Sequence, residues 1–259
     1  MTTESITIGI STKMYLGYET SKVWLKAVTA LAAASKEVQT GRVELFVAPS
    51  FPILESSIGL TQGTPVLVAA QNASDQDAGA LTGEVSPAFL AEMGVAIVEL
   101  GHAERRRHFG EDDGMVARKV AAAQRNGLRP LLCIGEEQQQ KPEAAALACL
   151  EQIRTANINV EGPQPVIAYE PVWAIGAPQP ADPDYVCAVA DHLRQGLDTE
   201  HTLLYGGSAG PGLLPNLYPH VDGLFLGRFA HDPRNIALIL EEASAIIADA
   251  ISLRPITAL

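Results

Sequence analysis

The chain has 259 residues, with 18 lysines and arginines against 30 aspartates and glutamates, a formal net charge of −12 and 47% hydrophobic residues. That balance argues against general binding to nucleic acid or to an anionic membrane surface, while a small anion can still be held by a local field. Cys133, Cys149 and Cys187 are few and unclustered, which speaks against a disulfide framework or a zinc site and for a reducing cytoplasm.

In chain order, short apolar runs recur at "ITIGI" (6–10), "VELFVA" (43–48), "PVLVAA" (65–70), "VAIVEL" (95–100), "PLLCI" (130–134), "PVIAY" (165–169), "TLLY" (202–205) and "DGLFLG" (222–227). They are near-continuous rather than alternating, as expected for parallel strands covered on both faces. Ala- and Leu-rich stretches of helical character lie between most of them, such as 19–39 and 182–197, and 232–251 follows the last. Eight strands alternating with helices predict an α/β fold, a single (β/α)8 TIM barrel over 1–259; an open doubly wound sheet is the other fold this pattern allows. No linker composition marks a second domain. The N-terminus "MTTESITIGI" lacks the basic and apolar regions of a leader, and no apolar run reaches the ~18 residues of a membrane span.

In such a barrel the site gathers at the C-terminal ends of the strands. Lys13 follows strand 1, "GHAERR" with His102 follows strand 4, Glu170 ends strand 6, and "GGS" and "GR" follow strands 7 and 8. Each has a plain structural alternative: a surface lysine, a hydrogen-bonded histidine, a capping acid, an ordinary turn. As a set, they offer a carboxylate base, a neutral imidazole at a helix start, a fixed ammonium and two glycine loops suited to phosphate. No His/Asp/Glu set of metal-ligand type gathers at the strand ends.

"TKM" (12–14), "AAQN" (69–72), "GALTGEVSP" (79–87), "ELGHAERR" (99–106), "LLCIGE" (131–136), "AYEPVWAIG" (168–176) and "YGGS" (205–208), in this order, resemble the triosephosphate isomerase family over nearly the whole chain. The resemblance implies that Glu170 is the proton-transferring base, His102 the neutral electrophile and Lys13 the electrostatic anchor, with no cofactor. It implies Glu104 and Cys133 as supporting residues, phosphate held by N–H groups of Gly176, Ser208, Gly227 and Arg228, and a lid at 171–180 with Pro171-Val172-Trp173 as its stiff hinge. It also implies a homodimer, in which the loop around Thr82 supports the neighbouring site.

The chain departs from the family pattern beside the substrate. Ser11-Thr12-Lys13 stands for Asn-aromatic-Lys, Ala103 for a serine, Pro178-Gln179-Pro180-Ala181 for a glycine-containing second hinge, and Arg228 for a glycine. Retained chemistry with an altered neighbourhood points to a larger substrate, with Ser11 beside it. The expectation is the family's side branch that converts L-erythrulose 1-phosphate to D-erythrulose 4-phosphate. An ordinary triosephosphate isomerase and a sugar-phosphate-binding protein without catalysis stand as the alternatives.

Overall fold

The computed structural model describes residues 5–158, 162–197 and 201–252. The reading of the extreme N-terminus as leaderless falls partly on residues 1–4, outside the described residues. The strands are β1 (Ile6–Ser11), β2 (Val43–Ala48), β3 (Val66–Ala70), β4 (Ile97–Leu100), β5 (Arg129–Ile134), β6 (Val166–Tyr169), β7 (Thr202–Tyr205) and β8 (Gly223–Leu226). Each pairs in parallel with the next, and β8 pairs with β1, from Thr7 opposite Gly223 to Ile10 opposite Leu226. That closure makes the sheet a barrel and removes its edges, which excludes the open-sheet alternative. Gly223 is needed for it, because a Cβ there would collide with the backbone of Thr7.

Two apolar cores follow from the two faces of each strand. Ile8, Leu45, Val98, Leu132 and Ile167 face the surrounding helices. Phe46, Ala69, Ile97, Leu131, Val166, Leu204 and Phe225 fill the interior, where the rings of Phe46 and Phe225 stack at 6.1 Å between centroids. Both faces being buried is why the strands read as continuous apolar runs. The helices bury one stripe each. Pro233–Ser252 buries Ile236, Ile239, Leu240, Ala243 and Ile247 at three- and four-residue spacing.

The stretch 19–39 forms two helices, Tyr18–Ala34 and Lys36–Gln39, rather than one. Ser35 separates them, in extended conformation, and its side chain accepts from the Val38 N–H. A serine that caps a new helix gains about 1 kcal/mol there, more than it offers inside one. Trp24 in the first helix donates to the Ala230 carbonyl at 2.7 Å, tying it to the turn after β8. No helix among the described residues is long and apolar enough to cross a membrane.

Candidate active site

Strand parity delivers the polar side chains to the top of the interior. Side chains alternate along a strand. Glu99 therefore follows Ile97 inward on β4, Glu170 follows Ala168 at the end of β6, and Cys133 follows Leu131 on β5. Ser11, opposite Ala48, ends β1 on the same side. All four are buried.

Lys13 lies two residues beyond Ser11, with φ of 48°. Its carbonyl accepts from Ser50 Oγ at 2.6 Å and from Gln71 Nε2 at 3.1 Å, which fixes this turn. Its ammonium donates to Glu104 Oε1 at 2.6 Å. Burial pulls the Lys13 pKa down, but the negative charges of Glu170 and Glu104 outweigh it and the net direction is up. Burial works the other way on Glu104, and the hydrogen bond and charge of Lys13 prevail, holding it below the usual range.

His102 is the N-cap of the helix Ala103–Phe109, and its Nδ1 accepts from the Glu104 N–H at 3.1 Å. A backbone amide can only donate, so the neutral ring carries its proton on Nε2. Burial first, and then the Lys13 charge, lower its pKa to about 4. The helix N-terminus acts in the same sense. At neutral pH this ring is an uncharged donor pointing through Nε2.

Nε2 lies 3.3 Å from Glu170 Oε2. That oxygen is buried and has no aligned hydrogen-bond partner among the described residues. Burial raises the Glu170 pKa to about 8, against the pull of Lys13 and with help from Glu99 and Glu104; the Cys133 thiol acts weakly the other way. A carboxylate so destabilised is a stronger base than one in water, and its open oxygen can take a proton from carbon. Gly206, opposite, permits this closeness, because a Cβ there would lie 2.5 Å from Glu170 Oε1.

The segment that the resemblance reads as a lid begins at once. Pro171 leads into a single 3-10 turn, Val172–Ala174, and Gly176 turns with φ of 73°. Trp173 Nε1 donates to Glu136 Oε1 at 2.8 Å, and the hydroxyls of Tyr169 and Tyr185 donate to the same buried carboxyl group. Ser208 Oγ, beyond β7, lies 2.9 Å from the Ala174 carbonyl and 3.1 Å from that of Ala177, as a donor to one or the other. Arg228 Nη2 donates to the Gly176 carbonyl at 3.2 Å. At the far hinge the Ala181 N–H donates to Tyr205 Oη at 3.0 Å.

Under the lid is a cavity of about 250 Å3, lined by Ser11, Lys13, Glu170, Gly176, Ser208, Gly227 and Arg228 among others. Among the described residues, no backbone carbonyl accepts from the N–H of Gly176, Ser208, Gly227 or Arg228. Ser208 has φ of 53°; apart from Lys13 and the helix-capping Asn157 it is the only non-glycine residue described with positive φ. Backbone held in this sparsely populated region concentrates at functional sites.

The structure thus brings Lys13, His102, Glu170, Ser11, Glu104 and Cys133 together, with Gly176, Ser208, Gly227 and Arg228 across the cavity. Thr82 stands apart, exposed on the loop between β3 and β4. Arg105 and Arg106 turn away to Glu111 and Asp113. Three participants had no role assigned from sequence: Glu99, whose signal was an acid within the apolar run "VAIVEL"; Glu136, inside "LLCIGE"; and Gln71, inside "AAQN". Among the described residues no group of three or more His, Cys, Asp or Glu is arranged to hold a metal ion.

A family model described as Triosephosphate isomerase matches residues 6–243. The chain is 45% identical to an L-erythrulose-1-phosphate isomerase of Pectobacterium atrosepticum, over 96% of this chain and 100% of that one. It is 44% identical to one of Rhizobium etli, over 80% and 82%, and 35% identical to a triosephosphate isomerase of Synechococcus sp., over 88% and 93%. With a match of that extent lying over the eight-stranded barrel and the Lys–His–Glu set at its mouth, the chain belongs to the triosephosphate isomerase family.

Proposed function

We propose that this protein interconverts L-erythrulose 1-phosphate and D-erythrulose 4-phosphate by proton transfer through an enediol(ate). One observation carries the chemistry: the open carboxylate oxygen of Glu170 faces the Nε2–H of an uncharged His102 beside Lys13. Glu170 removes the proton from C3, the carbon beside the ketone. The C–H electron pair forms the C2–C3 double bond, and the C2 carbonyl pair moves to oxygen, where His102 donates a hydrogen bond and Lys13 supplies positive charge. Exchange of a proton between the two oxygens and return of the proton from Glu170 to C2 leave the ketone at C3. Atoms balance, and no redox partner or cofactor is required.

The N–H groups of Gly176, Ser208, Gly227 and Arg228 hold the phosphate in this reading. Their lack of carbonyl partners and the left-handed Ser208 support it. Glu104 fixes the Lys13 ammonium and the His102 tautomer, and Cys133 backs Glu170. The substrate assignment rests on the names of the relatives from Pectobacterium atrosepticum and Rhizobium etli and on Ser11, a short residue beside the substrate. We read residues 1–259 as one domain that works as a homodimer in a reducing cytoplasm. The exposed loop bearing Thr82, and the exposed Met14, Tyr18 and Phe109 around a groove at the barrel mouth, support the dimer; the three unpaired cysteines support the compartment.

The test is kcat/KM of the purified protein on L-erythrulose 1-phosphate and on glyceraldehyde 3-phosphate, with Glu170→Gln as the blank. The expected result is a preference for the tetrulose above about tenfold, or ~1.4 kcal/mol in transition-state binding. A preference for the triose establishes the second reading, an ordinary triosephosphate isomerase, which the relative from Synechococcus sp. favours. Turnover that disappears in Glu170→Gln removes the non-catalytic alternative.

A further inference from the structure

Ser11 and Glu99 face the site but neither gives nor takes a proton in the transfer. Ser11 Oγ donates to Glu99 Oε2 at 2.9 Å, and both residues are buried, at 2% and 4% exposure. Among the described residues Ser11 is the one hydrogen-bond donor to this carboxyl group. A carboxyl group has about four acceptor positions, and burying it with one of them used is costly unless something else fills the rest.

Their position says what that is. Ser11 and Lys13 border both the cavity under the lid and a second one, the groove read above as the dimer face, which Glu99 and His102 also line. The phosphate-holding amides are all on the lid side, whereas His102 and Glu99 belong to the other. A ketose phosphate with its phosphate at those amides and its carbonyl at His102 therefore sends its distal carbon toward Ser11 and Glu99. Ser11, with a single hydroxymethyl side chain, leaves room there.

We propose that Ser11 and Glu99 form the subsite for the terminal hydroxymethyl group of a four-carbon ketose phosphate, with Glu99 accepting a hydrogen bond from its hydroxyl. The proposal rests on the tetrulose reading above and names the residues that select the fourth carbon. A three-carbon substrate leaves this acceptor without its donor. Sites built to bind a hydroxyl discriminate against ligands that lack it far more strongly than apolar pockets do.

The experiment compares wild type, Glu99→Val, Glu99→Gln and Ser11→Ala on L-erythrulose 1-phosphate and glyceraldehyde 3-phosphate. The same four proteins are titrated with two unreactive competitors, erythritol 4-phosphate and glycerol 3-phosphate. In Glu99→Val, kcat/KM for the tetrulose is expected to fall at least tenfold further than kcat/KM for the triose. Affinity for the four-carbon competitor should fall with it. Glu99→Gln, which keeps size and one acceptor, and Ser11→Ala should shift both ratios in the same direction by about threefold. These two near-isosteric variants decide the matter if Glu99→Val does not fold. Equal losses on both substrates, or unchanged ratios, overturn the subsite while the tetrulose reading stands. If wild type itself does not prefer the tetrulose, the substrate reading falls and this one falls with it.

Discussion

On the side of the barrel mouth formed by β1, β4 and β6, the polar groups are side chains, the buried Ser11, Glu99, His102 and Glu170 and the half-buried Lys13 and Glu104, each within reach of another. Across the cavity, where the lid meets the ends of β7 and β8, they are chiefly the backbone amides of Gly176, the left-handed Ser208, Gly227 and Arg228. On the proposed function, the difference follows from the chemistry each side faces. Moving a proton needs groups whose pKa values are pushed apart, and burial of titratable side chains does this, lowering His102 to about 4 and raising Glu170 to about 8. Holding a phosphate needs several donors converging on a small anion, which backbone amides supply without the entropy cost of ordering long side chains.

The largest test of the acid–base side is Glu170→Gln. Removing the base is expected to lower kcat/KM by roughly 10²–10⁴. In wild type, kcat/KM should rise with pH with its midpoint near pH 8 and level about one unit above that, because Glu170 must lose its proton to act. Stability should move oppositely. The folded pKa lies above the carboxylate's usual 4.5, so this group's contribution is complete below about pH 4.5 and is lost as pH rises toward 8. Glutamine does not titrate. Glu170→Gln should therefore be more stable than wild type by on the order of 3 kcal/mol at pH 8.5, with the gap closing toward pH 4.5, as read by denaturant unfolding at several pH values. A constant gap would mean that the carboxylate is not strained in the fold.

Gly206→Ala tests where the two sides touch. Its Cβ would press on the Glu170 carboxylate. The expected result is a kcat loss of about 10- to 100-fold, from displacement of the base by part of an ångström. Affinity for inorganic phosphate, measured by competition, should change less than threefold. If phosphate affinity fell with kcat, the two sides would be one mechanical unit.

The same division explains what the sequence made legible. The strands could be read because both their faces are buried, and Glu170, His102 and Lys13 because charged or titratable residues stand out at strand ends. Glu99 escaped because strand parity, not motif, turns it inward, and the register of a continuous apolar run carries no alternation to reveal it. Glu136 escaped because its role depends on Tyr169, Trp173 and Tyr185 converging from three places in the chain. The break at Ser35 was hidden because its flanks are equally helical, and a cap is a matter of local geometry. The amides of Gly176 and Gly227 have no side chain to announce them, and it was the family resemblance that assigned them to phosphate. Their glycines are as common in turns as in phosphate sites.

The smallest effect is expected at Arg228, among the described residues the one charged side chain on the backbone-built side whose headgroup bonds the lid. Its guanidinium bonds the Gly176 carbonyl, so it can both steady the lid tip and add positive charge near the phosphate. Arg228→Gly removes the cation and keeps the amide. An exposed charge-assisted contact is worth about 1 kcal/mol, so kcat/KM and affinity for inorganic phosphate should each fall about fivefold. The deficit should shrink as salt is raised from 0.05 to 0.5 M, because the lost term is a screened, solvent-facing attraction. A loss of 100-fold or more that persists in high salt would break the comparison: the phosphate would then depend on a side chain, and the amides of Gly176, Ser208 and Gly227 would be shaping the cavity rather than holding the anion.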